Sequence, residues 1–481
     1  MKTRPMKTRP MNTVRRSFGR RPPAFARCAG ARHAVAGRLP SVLVAMTLWL
    51  AVLLPAGISA QSAVQGVTEF TVNGLKVLVK QRPASQTIAA GLFIKGGSRN
   101  VTTTNAGIET LMLDLATEAS TNFPRETLRR ELARTASAVS FGVNFDYTAF
   151  SLGTTRQYFD RAWQIFVDCA LRPSLTPEDF SLVKQRRLTN LSDEQDDPDS
   201  SLRMQQATVA YAGHPYQNDP RGTVASIERL TLEDVRRYHQ QMMETSRLLL
   251  VVVGDLDPQE VRRKVSASFS SLPVGSYQAA APPPLSFEAP TVAVIARDLP
   301  TNYVQGVYAA PPLTSPDIYP IRVATNVLRN RVFQEVRVSR SLSYAPDAFL
   351  SEQGANVGGI YVTAVDANQA VQVMLGEVGK LQAQDISTDE LKAVTQSFLT
   401  TRYLDQETNA AQAGALARDE LIGGGWRAST NLLERLRAVT PQDVRRVANT
   451  YMRNFQFVVL GDPGKIDKQV FLRQPSPPSG R

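Results

Sequence analysis

Apolar positions change period along the chain, and each change marks an element. Across residues 68–79 apolar and polar residues alternate on both sides of Asn73-Gly74, which predicts two strands joined by a tight hairpin. Residues 89–94 form a further apolar run, stopped at Gly96-Gly97. From Gly107 to Thr121 the spacing becomes helical, with Ile108, Leu111, Met112, Leu115, Ala116 and Ala119 on one face. Residues 139–145 and 148–152 alternate again as hairpin strands, and helices are expected over about 156–171 and 177–192. Strands and helices gathered in this non-alternating order predict an α+β fold, with helices layered on one face of a mainly antiparallel sheet.

The pattern then repeats. Leu230-Thr231-Leu232-Glu233-Asp234-Val235-Arg236-Arg237 returns as Val439-Thr440-Pro441-Gln442-Asp443-Val444-Arg445-Arg446, and each copy leads to an apolar strand ending in Gly-Asp, at Gly254-Asp255 and Gly461-Asp462. A second match pairs residues 175–183 with 386–394, both opening on a Thr or Ser cap followed by acids in the first turn. Two matches in the same order imply a duplicated domain. Pro273 to Pro284 is rich in proline and alanine and reads as a semi-rigid linker. The expected organisation is a signal peptide at 1–60, a domain at 61–272, a linker at 273–285, a second domain at 286–470 and a tail at 471–481.

Charge sharpens this picture. The 481-residue chain has 55 Lys and Arg against 43 Asp and Glu, yet eleven of the basic residues and no acid fall in residues 1–60. The remainder is close to neutral, so it offers no global electrostatic argument for a nucleic-acid partner. The basic leader, the apolar core at 42–54 and Ile58-Ser59-Ala60 have the three parts of an export signal with cleavage after Ala60, so the expected location is the periplasm. That core is too short for a comfortable membrane span. Of the two cysteines, Cys28 leaves with the signal and Cys169 reads as a buried structural thiol.

Several local patterns carry a resemblance: Gly97-Ser98-Arg99-Asn100 before a helix, Gly213-His214-Pro215-Tyr216, the repeated Thr-x-x-Asp-Val helix, the strand closing at Gly254-Asp255, and Phe333-Gln334-Glu335-Val336-Arg337 leading to Leu342-Ser343-Tyr344. Over about residues 66–470 the chain resembles the insulinase or pitrilysin-type zinc metallopeptidases, in their short bacterial form of two homologous domains. The resemblance implies two α+β domains, each a mainly antiparallel sheet with helices on one face, forming a clam-shell chamber. Active members bind zinc through H-x-x-E-H, two histidines one helical turn apart with a glutamate as base, and a further glutamate from a later helix. Here Thr110 and Asp114 stand at the histidine positions and Leu113 at that of the base, while the later helix reads Arg187-Leu188-Thr189-Asn190-Leu191. The chain has only three histidines, His33, His214 and His239, none spaced as a helix-face pair; His214 is expected as a loop or helix-entry residue and His239 on a helix surface.

One part of the family's active site is matched. Arg337 and Tyr344, seven residues apart, fit a pair that binds the substrate carbonyl beside the scissile bond; the alternative reading pairs Arg337 with Glu335 and places Tyr344 in a strand. The resemblance therefore implies a zinc-free subunit whose partner is a homologous zinc-bearing peptidase chain, with zinc on that partner and an extended peptide as substrate. A structural or peptide-binding module without a catalytic role is the other reading. Residues 89–94 are a candidate edge for peptide addition, the linker a candidate hinge, and Gly423-Gly424-Gly425 a loop.

Overall fold

A computed structural model describes residues 66–476; the leader, its cleavage point at Ala60 and the last five residues lie outside the described residues. The first sheet contains β1 (Val67–Val72), β2 (Leu75–Gln81), β3 (Thr87–Lys95), β4 (Ala138–Val143), β5 (Tyr147–Thr155) and β6 (Leu248–Gly254), in the order β1-β2-β6-β3-β5-β4. The β1–β2 turn is the predicted one: Asn73 and Gly74 both take positive φ, 46° and 80°, as a primed hairpin turn requires. The second sheet contains β7 (Thr291–Ala296), β8 (Asn302–Ala309), β9 (Asp347–Leu350), β10 (Val357–Ala364) and β11 (Gln456–Gly461), in the order β7-β11-β8-β10-β9.

The sheets repeat each other strand for strand once β1 is set aside. In each, the strand closing the half runs parallel to one neighbour (β2 with β6, β7 with β11), and the remaining pairs are antiparallel. The duplicated helices match in detail as well. Thr231 and Thr440 each cap their helix in a reciprocal capping box with Asp234 and Asp443. The fold is thus the expected α+β pair of homologous domains.

The strand at 89–94 is not an edge. β3 lies between β6 and β5 and bonds to both, so its backbone is not free to take a peptide. Its composition carries the reason: Ile88 through Ile94 are all buried, and a strand covered on both faces reads as a continuous apolar run. β6, Leu-Leu-Leu-Val-Val-Val-Gly, is buried at every position in the same way.

Two layers account for that double burial. Leu248, Leu250 and Val252 of β6 pack with the first half's own helices, including Ile108–Ala116 and Phe159–Leu171, whereas Leu249, Val251 and Val253 on the opposite face pack under Ala413, Leu416 and Ala417 of a second-half helix, Asn409–Ile422. The exchange is mutual. Leu202 of the first-half helix Pro198–Ala210 packs on Val458 and Leu460 of β11, and Gln206 Nε2 donates to the buried Gln456 carbonyl at 3.1 Å. Each half therefore covers the free face of the other's sheet.

This interlock changes the role of the linker. Pro273 and Val274 carbonyls accept from Thr245 and Ser246 N–H groups, both at 2.9 Å, the Arg247 guanidinium lies 4.0 Å from the Tyr277 ring centre, and the Pro283 carbonyl bonds His214 Nε2 at 3.0 Å. The segment is strapped along the first half, and hinging about it requires the exchanged helices to separate. Among the described residues no helix is long and apolar enough to cross a membrane.

Candidate functional site

The degenerate metal motif sits on the helix Ile108–Ala116, entered through Gly107 in a left-handed conformation, φ 89°. Upstream, Gly96-Gly97 brings the backbone so close to the β4–β5 turn that a Cβ on Gly97 would lie 2.5 Å from the Phe145 carbonyl oxygen. Thr110 is buried and its hydroxyl donates to the Pro220 carbonyl at 2.7 Å. Leu113 is a core residue. Asp114 accepts from Arg186 Nη2 at 2.6 Å, and the same guanidinium reaches Glu118 Oε1 at 2.6 Å through Nη1. Burial pushes the Asp114 carboxyl above its ordinary value, with Arg186 pulling the other way.

These residues do not fit a zinc ion. Thr110 is committed to a backbone carbonyl, Leu113 has no donor atom, and the two acids are bridged by a positive charge that belongs to the protein itself. On the later helix the acid nearest this position, Glu194, is taken up by arginines, pairing with Arg187 at 3.8 Å and Arg221 at 3.3 Å, while Arg187 donates to the Arg221 carbonyl at 3.0 and 3.3 Å. His214 accepts from the Tyr216 N–H at 3.1 Å, as the entry residue of a short helical turn. His239 is half-buried against the Ala170 carbonyl at 2.9 Å rather than a surface residue, and burial lowers its pKa. Among the described residues no group of three or more His, Cys, Asp and Glu side chains is placed to hold a metal ion.

Sequence reading missed the residue beside this motif. Glu109 is 2% exposed, and its oxygens accept from the hydroxyls of Thr148 and Tyr238, the latter at 2.5 Å, and from Asn100 Nδ2 at 3.4 Å. Burial raises its carboxyl above the ordinary 4.5 despite these bonds. A carboxyl whose pKa is raised by folding contributes stability that is complete below 4.5 and declines as pH rises through the folded value. Urea midpoints of wild type and Glu109→Gln are therefore expected to converge toward low pH and to separate above pH 4.5, the wild type losing stability relative to the variant. Parallel profiles would contradict this.

The second candidate site begins where the helix Ile318–Val332 runs on into a π-helical turn, Phe333–Ser339. Such wide turns are often found at functional sites. Arg337 projects from it with its guanidinium carbon 4.0 Å from the Tyr344 ring centre and 5.0 Å from that of Phe333. Ser341, at φ 52°, turns the chain back, so Tyr344 lies in the loop before β9 and outside any strand. Tyr344 is 78% exposed and Phe333 42%. Glu335 pairs with Arg340, not with Arg337. Among the described residues neither the Arg337 guanidinium nor the Tyr344 hydroxyl has a hydrogen-bond partner, which leaves a stacked cation and a phenol as outward-facing donors.

Two of the resemblance-bearing patterns meet elsewhere, at the seam between the halves. Asp146 is buried, accepts from the Tyr216 hydroxyl and from Gly354 N–H at 2.9 Å, and pairs with Arg99 Nη1 at 3.5 Å. Gly-Ser-Arg, Gly-His-Pro-Tyr and the β9–β10 loop are thus tied by one carboxylate.

Two sheets of one topology, a metal-motif helix without its ligands and an arginine-tyrosine stack with its tyrosine exposed define a duplicated peptidase-type chain. Comparison with known proteins places it further. Residues 76–224 match the insulinase (peptidase family M16) model, and residues 229–398 match the model described as the peptidase M16 inactive domain. An uncharacterized zinc protease of Streptomyces coelicolor is 23% identical over 402 residues, covering 78% of this chain and 84% of its own length. The crystal structure of a protease from Helicobacter pylori superposes with a TM-score of 0.75 at 20% identity, over 82% of this chain and 99% of that one. A peptidase M16 inactive domain from Pseudomonas fluorescens gives 0.75 at 16% identity, over 82% and 98%. The chain belongs to the insulinase family of peptidases.

Proposed function

We propose that this chain is the zinc-free subunit of an exported, heterodimeric insulinase-type metallopeptidase, in which it presents Arg337 and Tyr344 to a peptide held at the zinc site of a homologous partner chain. The observation that carries the reading is the contrast between the two sites. The motif helix has an arginine bridging its acids, whereas Arg337 and Tyr344 are stacked and unpaired, Arg337 half-buried and Tyr344 exposed. A guanidinium and a phenol held in this way bind a peptide carbonyl and stabilise the oxyanion that develops on it. The Phe333 ring beneath Arg337 holds the guanidinium in place, so part of the ordering cost is met before substrate arrives. The leader, with its basic stretch, apolar core and small residues before Gln61, supports export to the periplasm.

Elemental analysis of the chain purified alone, without chelator, tests the first half of the reading. Well below one zinc per chain is expected, together with no hydrolysis of unstructured peptides. One tightly bound zinc with chelator-sensitive cleavage would overturn it.

A further inference from the structure

A cleft of about 540 Å³ opens in the second half between the helices Ile318–Val332, Thr388–Leu404 and Asn409–Ile422. Four arginines line it, Arg322, Arg329, Arg402 and Arg418, against two carboxylates, Glu352 and Asp405. Most of the positive charge is committed. Glu352 pairs with Arg322 at 3.0 Å and with Arg418, which also reaches Asp419 at 3.3 Å, and Arg329 pairs with Asp347 at 2.8 Å. Arg402 is the exception. Among the described residues it has no carboxylate partner; with the Gln406 amide turned so that its oxygen faces the guanidinium, it donates to that oxygen at 2.8 and 3.2 Å. Burial and the nearby Arg418 both work against its charge.

The floor of the cleft is open for no packing reason. Gly414 sits in the middle of the Asn409–Ile422 helix, where glycine costs about 1 kcal/mol relative to alanine, and a Cβ added there would meet no atom within 4 Å. Its missing side chain keeps the space above the helix free. Beside the arginines, Leu350, Phe398, Ala411 and Ala415 give the cleft an apolar flank. A ligand matched to this surface carries an anion for the guanidinium and an apolar part for the flank.

We propose that this cleft binds a carboxylate of an acidic, partly apolar peptide segment, with Arg402 making the two-pronged contact that guanidinium and carboxylate geometry favours. The volume falls within the usual range of ligand pockets, about 300–1,000 Å³. The inference rests on the peptide-holding reading for the ligand's being a peptide, and it adds a charge preference to it.

Calorimetric titration of the purified chain, without partner or zinc, tests it. The probes are an acetylated, amidated octapeptide of alternating Leu and Glu, its Leu-Gln analogue, a Leu-Gln version with a free C-terminal carboxylate, and inorganic phosphate. The Leu-Glu peptide is expected to bind at least about tenfold tighter than the amidated Leu-Gln analogue, since a charge-assisted hydrogen bond is stronger than the neutral one that replaces it. Tightening by the free C-terminus alone would assign the contact to a terminal carboxylate, and its absence to acidic side chains; either supports the site. Arg402→Gln and Gly414→Met, which fills the floor, are each expected to weaken binding about tenfold or more, and Arg340→Gln to leave it unchanged. Equal affinity for all three peptides, no effect of either cleft variant, or binding of phosphate without any carboxylate-bearing peptide would overturn this site. Binding of no peptide at all would remove the peptide-holding reading with it.

Discussion

Replacing Arg337 with alanine is expected to lower peptide turnover by the assembled pair about 10²–10³-fold, or roughly 3–4 kcal/mol in activation free energy, while leaving folding and pairing intact. Tyr344→Phe, which removes the hydroxyl and keeps the ring under the guanidinium, is expected to act in the same direction. The loss belongs in kcat as well as kcat/KM, because a donor aimed at a developing oxyanion strengthens in the transition state. Local geometry supplies the control. Glu335 pairs with Arg340, so Glu335→Ala and Arg340→Ala disturb the same turn without touching the stack and are expected to change turnover by less than about twofold. Steady-state kinetics of the four variants against an unstructured peptide check this. Unchanged turnover without Arg337 and Tyr344 would leave the chain a structural role alone.

The largest expected effect on stability lies at Asp146. Alanine there strips the buried Tyr216 hydroxyl of its acceptor, leaves Arg99 without its carboxylate and frees Gly354 N–H from across the seam. Breaking a buried ion pair from one side costs about 3–5 kcal/mol, because the groups left behind remain out of water. Asp146→Ala is expected to lose that much in urea unfolding, and Asp146→Asn, which keeps an acceptor oxygen, markedly less. Arg99→Ala in the Asp146→Ala background should then add little, since the two share one network. A loss below about 1 kcal/mol for Asp146→Ala would mean the seam is held by the exchanged helices alone.

How much of this was legible in the sequence follows from what each element needs locally. The β1–β2 hairpin needs two residues at positive φ, which Asn73-Gly74 announces. The duplication is legible because a capping box needs a hydroxyl and an acid three residues apart, in both copies. The position of β3 is not legible, because a run of residues buried on both faces looks, without its neighbours, like any short apolar strand. The helix exchange is invisible locally. The Asn409–Ile422 helix meets its sheet through small residues such as Ala413 and Ala417, which name no partner, and its anchoring bond from Asn409 to Ser85 spans 324 positions. The bridge from Arg186 to Asp114 spans 72 positions, beyond the reach of any periodicity. Spacing and resemblance single out Arg337 and Tyr344, but they give no role to Phe333, four residues before Arg337 and in contact with it, because a ring contact of this kind has no signature in spacing.

The central claim is that this chain completes an active site it does not itself contain. Peptidase activity should therefore be titrated by adding this chain, carrying no added metal, to a fixed amount of the homologous zinc-motif chain. The account predicts that activity rises with added chain and saturates at one to one, is lost with chelator, and is absent from this chain alone. Full activity of the zinc-motif chain without it, or metal-dependent cleavage by this chain in isolation, would contradict the account.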